Sequence, residues 1–322
     1  MSFKISSRLF NYSIRFIIGI IIVLILLSIF GLSEFYYIIE NTNVAFIALA
    51  VVSHLIALCV AVFRIYFLLD KKISFYQLFK ANMFSMLLGD LTPGRAGYFV
   101  LPVLIQAKKP NIERSEVISI LFFGQSFDFI LRGFLLVITI GYFIFLQSYQ
   151  GNLLTFLILT LILIIILSLV FYLMAFNMIP DWATNLILEI PFVGKIFHGY
   201  SSYVKTASYH KNKSLITLGI TILGWLTTSL RWICVGYSIY LIIPLEWYLF
   251  MFPSITITSF IPISAAGIGI VETGFVLIFS LLGYPAIIAI SFSLIDRSVS
   301  IFSQLLSLPY GLKTLKLSKT EN

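Results

Sequence analysis

The sequence predicts an all-α, polytopic membrane protein, because its composition and its long apolar runs lie outside the range of soluble domains. Of its 322 residues, 60% are hydrophobic and only 11% are charged. A soluble domain carries about 25% charged residues, which cover its surface with polar groups. Several apolar runs approach or exceed the roughly 20 residues that a membrane-spanning helix requires.

Six membrane spans are predicted in order along the chain. They cover residues 16–30, 44–69, 116–146, 153–176, 215–243 and 286–308. Two further apolar stretches, 82–107 and 248–282, are interrupted by proline and glycine, which break regular helices. We interpret each of these two stretches as a re-entrant hairpin or a pair of half-length helices.

The distribution of lysine and arginine predicts how these elements are oriented. Every lysine falls in a predicted cytoplasmic segment, and the predicted outer loops, such as 31–43, contain neither lysine nor arginine. The positive-inside rule therefore places both termini in the cytoplasm and the protein in the cell membrane. Basic residues flank both ends of 82–107, which predicts that it enters and leaves on the cytoplasmic face, whereas 248–282 should do so on the outer face. The cytoplasmic loop 177–213 is amphipathic and is predicted to lie along the headgroup surface.

The two halves of the chain share a pattern that predicts an internal repeat. In each half an arginine precedes the broken stretch and an aspartate follows it. Arg64 and Asp128 correspond to Arg231 and Asp296, and the offset for the whole pattern is about 167 to 170 residues. The repeats cover about 44–146 and 215–308 of a single domain, 1–322, and their predicted orientations are opposite. Such inverted-topology repeats are the architecture of many secondary transporters.

Charged residues inside the predicted membrane segments need partners or water, because an unpaired charge there costs about 2.5–3.5 kcal/mol or more. Asp128 and Arg132 are four residues apart on one helix face and are predicted to form an ion pair. The adjacent Asp296 and Arg297 point in different directions, so each needs a partner elsewhere. Arg64, near a helix end, is interpreted as snorkelling towards the interface. The full set is Arg64, Arg95, Arg132, Arg231, Arg297, Asp90, Asp128, Glu272 and Asp296.

Two interpretations of this set stay open, namely structural ion pairs within a helix bundle and a binding site for a phosphate group. Arginine favours the second, because its planar guanidinium binds phosphate in a bidentate manner. The broken stretches add half-helix N-termini, whose free N–H groups attract anions. In the first, Thr92 is predicted to cap a half-helix that begins at Pro93, with Gly94 and Gly97 giving close access beside Arg95.

The second broken stretch is predicted to supply the matching half of the site. Ser264, after Pro262, is the predicted cap of its half-helix. Gly267 and Gly269 should let the backbone approach a ligand closely, with Glu272 two turns further on. Helix packing alone is the alternative explanation for the glycines of both stretches.

The motifs 93–97 (PGRAG) and 262–272 (PISAAGIGIVE), together with Asp128, Asp296 and Arg297, resemble the lysylphosphatidylglycerol synthase transmembrane region. This flippase-like domain family is shared with archaeal dolichol-phosphate glycosyltransferases. The resemblance covers nearly the whole chain and implies a domain that helps move an anionic or aminoacylated phospholipid, or a polyprenyl-phosphate-linked lipid, between leaflets. The chain departs from the family at Tyr98, where an acid is usual, and at 266–267, where Ala-Gly replaces paired glycines. With 322 residues, it has no room for the soluble catalytic domain of fuller relatives, so lipid lysylation by this chain alone is not expected.

Three functional hypotheses follow from these residues. The leading one is a lipid transporter, not an enzyme, whose partner is a membrane lipid with a phosphate headgroup. The second is a non-transporting membrane subunit that partners a lipid synthase or a glycosyltransferase. The third is an intramembrane aspartyl-type enzyme, in which Asp90 of the 87–90 segment would work with Asp128 or Asp296. No cofactor, metal or nucleic acid is predicted as a ligand, and the oligomeric state is left open.

Overall fold

The computed structural model describes residues 20–92, 96–145, 211–249 and 267–320, together with isolated positions between 17 and 255. Across these ranges the chain is helical and contains no β-strand, which confirms the all-α prediction. The helices are α1 (Ile20–Phe30), α2 (Leu32–Glu40), α3 (Val44–Leu68), α4 (Phe75–Leu91), α5 (Leu101–Gln106), α6 (Arg114–Phe145), α7 (Ser214–Ser238), α8 (Ile270–Leu281), α9 (Ala286–Leu305) and α10 (Leu308–Thr320). Short 3₁₀ segments, Ala96–Val100 and Lys211–Lys213, precede α5 and α7.

Four of these helices are long and apolar enough to cross a membrane, namely α3, α6, α7 and α9. Their bounds lie within a few residues of four predicted spans. The predicted span 153–176 and most of the loop 177–213 lie outside the described residues. Ile164, a described position of that span, is helical and fully buried, and it packs against Leu136 of α6.

The predicted outer loop 31–43 is wrong, because most of it forms the helix α2. A bend of 96° separates α1 from α2, and Gly31 lies at this bend with φ +112°. Tyr36 and Tyr37 of α2 are largely exposed. An amphipathic helix with exposed tyrosines is suited to the membrane–water interface. The loop was predicted from its lack of lysine and arginine, and this criterion does not distinguish an irregular loop from a short amphipathic helix.

Helices α3 and α7 form an antiparallel pair at the centre of the fold. At one end the Asn43 N–H donates to the Ser238 carbonyl at 2.8 Å. At the other end Lys213, just before α7, forms an ion pair with Asp70, just after α3. The two helices are the first elements of the two predicted repeats, so the corresponding helices run in opposite directions, as an inverted repeat requires. The orientation of the remaining elements stays a prediction.

The described part of the first broken stretch consists of two helical arms, which are α4 and the 3₁₀ segment with α5. Helix α4 ends at Thr92, and the chain continues through the 3₁₀ segment into α5. The Thr92 hydroxyl donates to the Leu88 carbonyl and accepts from the Gly97 N–H, both at 2.7 Å. Thr92 caps the C-terminal end of α4, where its hydroxyl bonds back to the preceding turn. Its role at the start of a half-helix at Pro93 stays a prediction. Its neighbours Pro93, Gly94 and Arg95 lie outside the described residues.

In the second broken stretch, α8 begins directly after Gly269. Gly267 and Gly269 have φ values of +68° and +84°, which glycine adopts without strain. The carboxylate of Glu272 accepts from the Gly269 N–H at 2.6 Å and so satisfies a free donor of the first turn. Glu272 lies in the first turn of this helix, and the capping of a half-helix by Ser264 stays a prediction. Ser264 and Pro262 lie outside the described residues.

Candidate functional site

The bundle contains a cavity of about 480 Å³ that is lined by α3, α4, α6, α7, α8, α9 and the 3₁₀ segment Ala96–Val100. Most of the membrane-embedded charged residues that the sequence indicated meet there. The charged lining residues among those described are Arg64, Arg132, Arg231, Arg297, Asp90, Asp128 and Asp296. Trp225 and Trp232 add aromatic surface to the same wall. The bundle therefore contains a cavity whose wall combines charged, aromatic and aliphatic side chains.

The first charged group in this cavity, the Arg64 cluster, consists of Arg64, Asp128 and Thr221. Arg64 Nη1 and Nη2 donate to the two carboxylate oxygens of Asp128 at 2.7 Å and 3.0 Å. Arg64 Nη1 also donates to the Thr221 hydroxyl at 2.9 Å. The cluster thus joins α3, α6 and α7. Gly124 leaves room for it, since a Cβ atom there would lie 3.0 Å from Arg64 Nε.

Two predictions are corrected by this cluster. Asp128 was predicted to pair with Arg132 on its own helix, but both of its oxygens are bonded to Arg64 from α3. A spacing of four residues places Asp128 and Arg132 on one helix face. It does not determine which of them pairs with a charged residue on a neighbouring helix, and Asp128 pairs with Arg64. Arg64 was interpreted as snorkelling and instead points into the bundle, because an ion pair is available there.

The second charged group, the Arg231 cluster, consists of Arg231, Asp296, His54 and Ser300. Arg231 Nε lies 2.8 Å from Asp296 Oδ1, and Nη2 donates to Asp296 Oδ2 at 3.1 Å. Nη1 lies 2.7 Å from His54 Nδ1 and donates to the Ser300 hydroxyl at 3.1 Å. This cluster joins α7, α9 and α3.

The two clusters correspond to one another by the offset of the repeat. Arg64 and Arg231 are 167 residues apart, and so are His54 and Thr221. In each cluster the arginine of one repeat pairs with the aspartate of the same repeat. Each arginine also contacts the first helix of the other repeat. The residues that it contacts there, Thr221 for Arg64 and His54 for Arg231, occupy matching positions of the two repeats. This reciprocal arrangement supports the predicted internal repeat.

A third ion pair joins Arg297 to Glu272. Arg297 Nε lies 3.1 Å from Glu272 Oε1, and the Glu272 side chain is fully buried. Asp296 and Arg297 therefore have separate partners on other helices, as predicted. Because Glu272 also accepts from the Gly269 N–H, this pair fixes the start of α8 against α9.

The remaining predicted residues fall into two groups. Asp90 and Arg132 line the cavity, where Asp90 accepts from Gln304 Nε2 at 3.0 Å and the Arg132 guanidinium lies 5.5 Å from the centre of the Phe129 ring. The residues Thr92, Gly97, Gly267 and Gly269 instead shape the two broken stretches.

Sequence reasoning missed four polar residues of the site, namely His54, Thr221, Ser300 and Gln304. The sequence favours a hydrogen-bonded packing role for His54 over that of a proton relay, and the structure shows that its hydrogen-bonding partner is Arg231. Extending the repeat offset from the arginines to their neighbours would have matched His54 with Thr221. Ser300 lies four residues after Asp296, one turn along the same helix face, which is a weaker signal.

Residues 13–307 match the family model described as the lysylphosphatidylglycerol synthase TM region. Neither the comparison with curated proteins nor that with solved structures found a match. A match over this much of the chain, together with the membrane-spanning helices, indicates a membrane protein of lipid metabolism or transport. The chain belongs to the lysylphosphatidylglycerol synthase transmembrane region family.

Proposed function

We propose that this protein is a lipid transporter of the cell membrane, with cytoplasmic termini, rather than an enzyme. It moves a lipid with a phosphate-containing headgroup between the two leaflets. The substrate is an anionic or aminoacylated phospholipid or a polyprenyl-phosphate-linked lipid. The observation that carries this proposal is the presence of two corresponding arginine–aspartate clusters on the wall of one cavity.

The cavity has the size and chemistry to receive a headgroup. Pockets that bind small molecules commonly enclose about 300–1,000 Å³, and this cavity encloses about 480 Å³. A phosphate has the same preference for a planar guanidinium as a carboxylate has. A phosphate in the cavity can therefore take the place of Asp128 or Asp296 on its arginine. The acyl chains would stay among the apolar helices and the surrounding lipid.

Two clusters along one path favour transport over simple binding. His54 and Arg64 lie ten residues apart on α3, which corresponds to about 15 Å along a helix axis. The Arg231 cluster, which contains His54, is therefore nearer the predicted outer face than the Arg64 cluster. A headgroup that passes from one cluster to the other advances across roughly half of the ~30 Å hydrocarbon core.

The other hypotheses receive less support from the same contacts. Both oxygens of Asp128 and of Asp296 are engaged by an arginine. This differs from the pair of carboxyl groups sharing one proton that aspartic proteases use. A subunit that only holds a lipid synthase or a glycosyltransferase would not need a charged cavity, although such an enzyme could still be a partner of the transporter.

The test is leaflet-resolved transport in proteoliposomes. Fluorescent phosphatidylglycerol, aminoacylated phosphatidylglycerol and a polyprenyl phosphate are the probes, and a membrane-impermeant quencher reports the outer leaflet. We expect the wild-type protein to accelerate the movement of at least one probe. Arg231→Gln should slow it at least about tenfold, which corresponds to about 1.4 kcal/mol.

Arg114→Gln is the matched control, because Arg114 is exposed at the start of α6 and bonds to Gln106 instead of lining the cavity. This variant should transport like the wild-type protein. Movement no faster than in protein-free vesicles for all three probes would contradict the proposed function. Equal transport rates for Arg231→Gln and the wild-type protein would mean that lipid movement does not depend on the Arg231 cluster of the cavity.

A further inference from the structure

The two clusters differ at one matched position, and this difference is chemical. The arginine of the first cluster bonds to Thr221, whereas the arginine of the second contacts His54. Threonine does not change its charge at any physiological pH, while histidine is the side chain that gains a proton near neutral pH. Of these two matched contact residues, only His54 in the Arg231 cluster can therefore bind and release a proton.

The contact with Arg231 defines the state of the His54 ring. Arginine has only N–H donors and keeps its charge in proteins. His54 Nδ1, at 2.7 Å from Arg231 Nη1, must therefore be the acceptor, and the ring carries its single proton on Nε2. Nε2 is buried and has no hydrogen-bond partner among the described residues. In this arrangement His54 is neutral, and its free nitrogen donor faces the interior of the bundle.

Adding a proton to Nδ1 is incompatible with this contact. The ring would lose the lone pair that accepts from Arg231, and two positive groups would lie 2.7 Å apart in a buried site. The two side chains must then separate. Arg231 keeps Asp296 and Ser300 as partners when its contact with the ring is lost. Proton binding would thus rearrange the Arg231 cluster and leave the Arg64 cluster unchanged.

The charged groups on the helices around His54 each belong to a described pair or line the same cavity. His54 itself is 5% exposed. The surrounding groups are Arg231 from α7, Asp296 and Arg297 from α9, Glu272 from α8, Asp90 from α4, and Asp128 and Arg132 from α6. Arg231 is the one in direct contact with the ring.

We propose that His54 is a proton-binding site and that a proton is the ion coupled to lipid movement through the cavity. The proposal rests on the proposed function and extends it to the energy source. A proton at His54 separates Arg231 from the ring and exposes the guanidinium to a phosphate headgroup. Loss of the proton restores the contact seen here and releases the headgroup. The proton and the lipid therefore occupy the Arg231 cluster together.

A pH gradient across proteoliposomes tests this coupling. Trace fluorescent phosphatidylglycerol is the probe, and potassium with valinomycin holds the membrane potential at zero. For one proton per lipid, a gradient of one pH unit should give a leaflet ratio of about tenfold at steady state. Reversing the gradient should reverse the ratio. The ratio is a thermodynamic quantity, so a variant that is merely slow reaches the same value.

Two variants remove the titrating group, and a third serves as the matched control. His54→Gln keeps a hydrogen-bond acceptor for Arg231, and His54→Thr makes the second cluster like the first. With either variant we expect a leaflet ratio near one in both gradients. Thr221→Val changes the corresponding residue of the Arg64 cluster and should keep the tenfold ratio. Two variants of different size ensure that a failure of one to fold does not remove the test.

The outcomes distinguish this inference from the proposed function. If wild-type protein equilibrates the probe but the ratio stays near one in a gradient, proton coupling is wrong and transport stands. A gradient-dependent ratio in both His54 variants places the proton site elsewhere and overturns the assignment to His54. If wild-type protein moves none of the lipid probes, both the proposed function and the coupling are contradicted.

Discussion

The guanidinium groups of Arg64 and Arg231 each connect three helices, which lysine could not do with the same geometry. The planar fork of arginine places two donors on the carboxylate and directs a further donor to a third helix. A lysine ammonium would reach one carboxylate as a point charge, without the bidentate geometry. At the scale of single residues, the several hydrogen bonds of each arginine therefore explain how a positive charge is stabilised inside an apolar bundle.

A double-mutant cycle between Arg64 and Asp128 measures this connection. Arg64→Gln and Asp128→Asn each leave a partly buried charge without its partner, so each should lower the free energy of unfolding. The double variant removes both charges and should recover part of the loss. We expect a coupling energy on the order of 1–3 kcal/mol, measured by reversible unfolding in mixed micelles.

The control cycle pairs Asp128→Asn with Arg132→Gln, the ion pair predicted from spacing alone. Its coupling energy should be smaller, because both oxygens of Asp128 are already bonded to Arg64. A larger coupling for Arg132 than for Arg64 would mean that the described ion pair does not form in the membrane.

The sequence predicted which residue types form the site better than it predicted their partners. Arginines and acids in a membrane segment must be paired or hydrated, so their meeting in one cavity followed from energetics. Which helix supplies each partner depends on how α3, α6 and α7 pack, and spacing along one helix carries no information about that. The partner of His54 was not predicted for the same reason, since Arg231 lies 177 residues away.

At the scale of elements, the first broken stretch depends on the close approach of its two arms. Gly97 lies directly against the backbone of α4. A Cβ atom at this position would lie 2.1 Å from the Leu88 carbonyl carbon and 2.4 Å from the Gly89 nitrogen. These are backbone atoms, which cannot turn aside as a flexible side chain can. Gly97 therefore allows the two arms to pack closely, which is the alternative explanation given for the glycines of both broken stretches.

Gly97→Ala should consequently destabilise the protein, by about 1–3 kcal/mol or more if the turn cannot shift. Gly219→Ala is the control, because Gly219 lies in α7 with no atom within 4 Å of an added Cβ. Alanine favours helix over glycine by up to about 1 kcal/mol, so this variant should be neutral or more stable. Thermal unfolding in detergent would measure both, and equal stability of Gly97→Ala and wild-type protein would contradict the packing described here.

Element bounds were predictable where a long apolar run determines them and were less so at short or irregular segments. The predicted span 44–69 is α3, Val44–Leu68, because a continuous apolar run leaves few alternatives to a helix. The interfacial α2 and the start of α8 at Gly269 were not predicted. Both depend on bends at glycine and on local hydrogen bonds that composition does not reveal.

At the scale of the whole molecule, the antiparallel α3–α7 pair places the two clusters on a common path. Because each arginine contacts the first helix of the other repeat, a shift of one repeat changes both clusters at once. A pseudosymmetric pair of repeats can in this way open the cavity to one leaflet and then to the other. This requires the two broken stretches to enter the membrane from opposite faces.

Labelling of single cysteines with a membrane-impermeant maleimide tests that requirement, in a background of Cys59→Ala and Cys234→Ala. Lys72→Cys and Lys109→Cys lie on exposed turns before α4 and after α5, and both should react only from the cytoplasmic face. Ile242→Cys and Pro285→Cys lie on exposed positions after α7 and before α9, and both should react only from the outer face. Each pair brackets one broken stretch, so agreement within a pair means that the stretch returns to the face it left. If all four positions react from the same face, the repeats are not inverted, and a cavity open to each leaflet in turn has no structural basis.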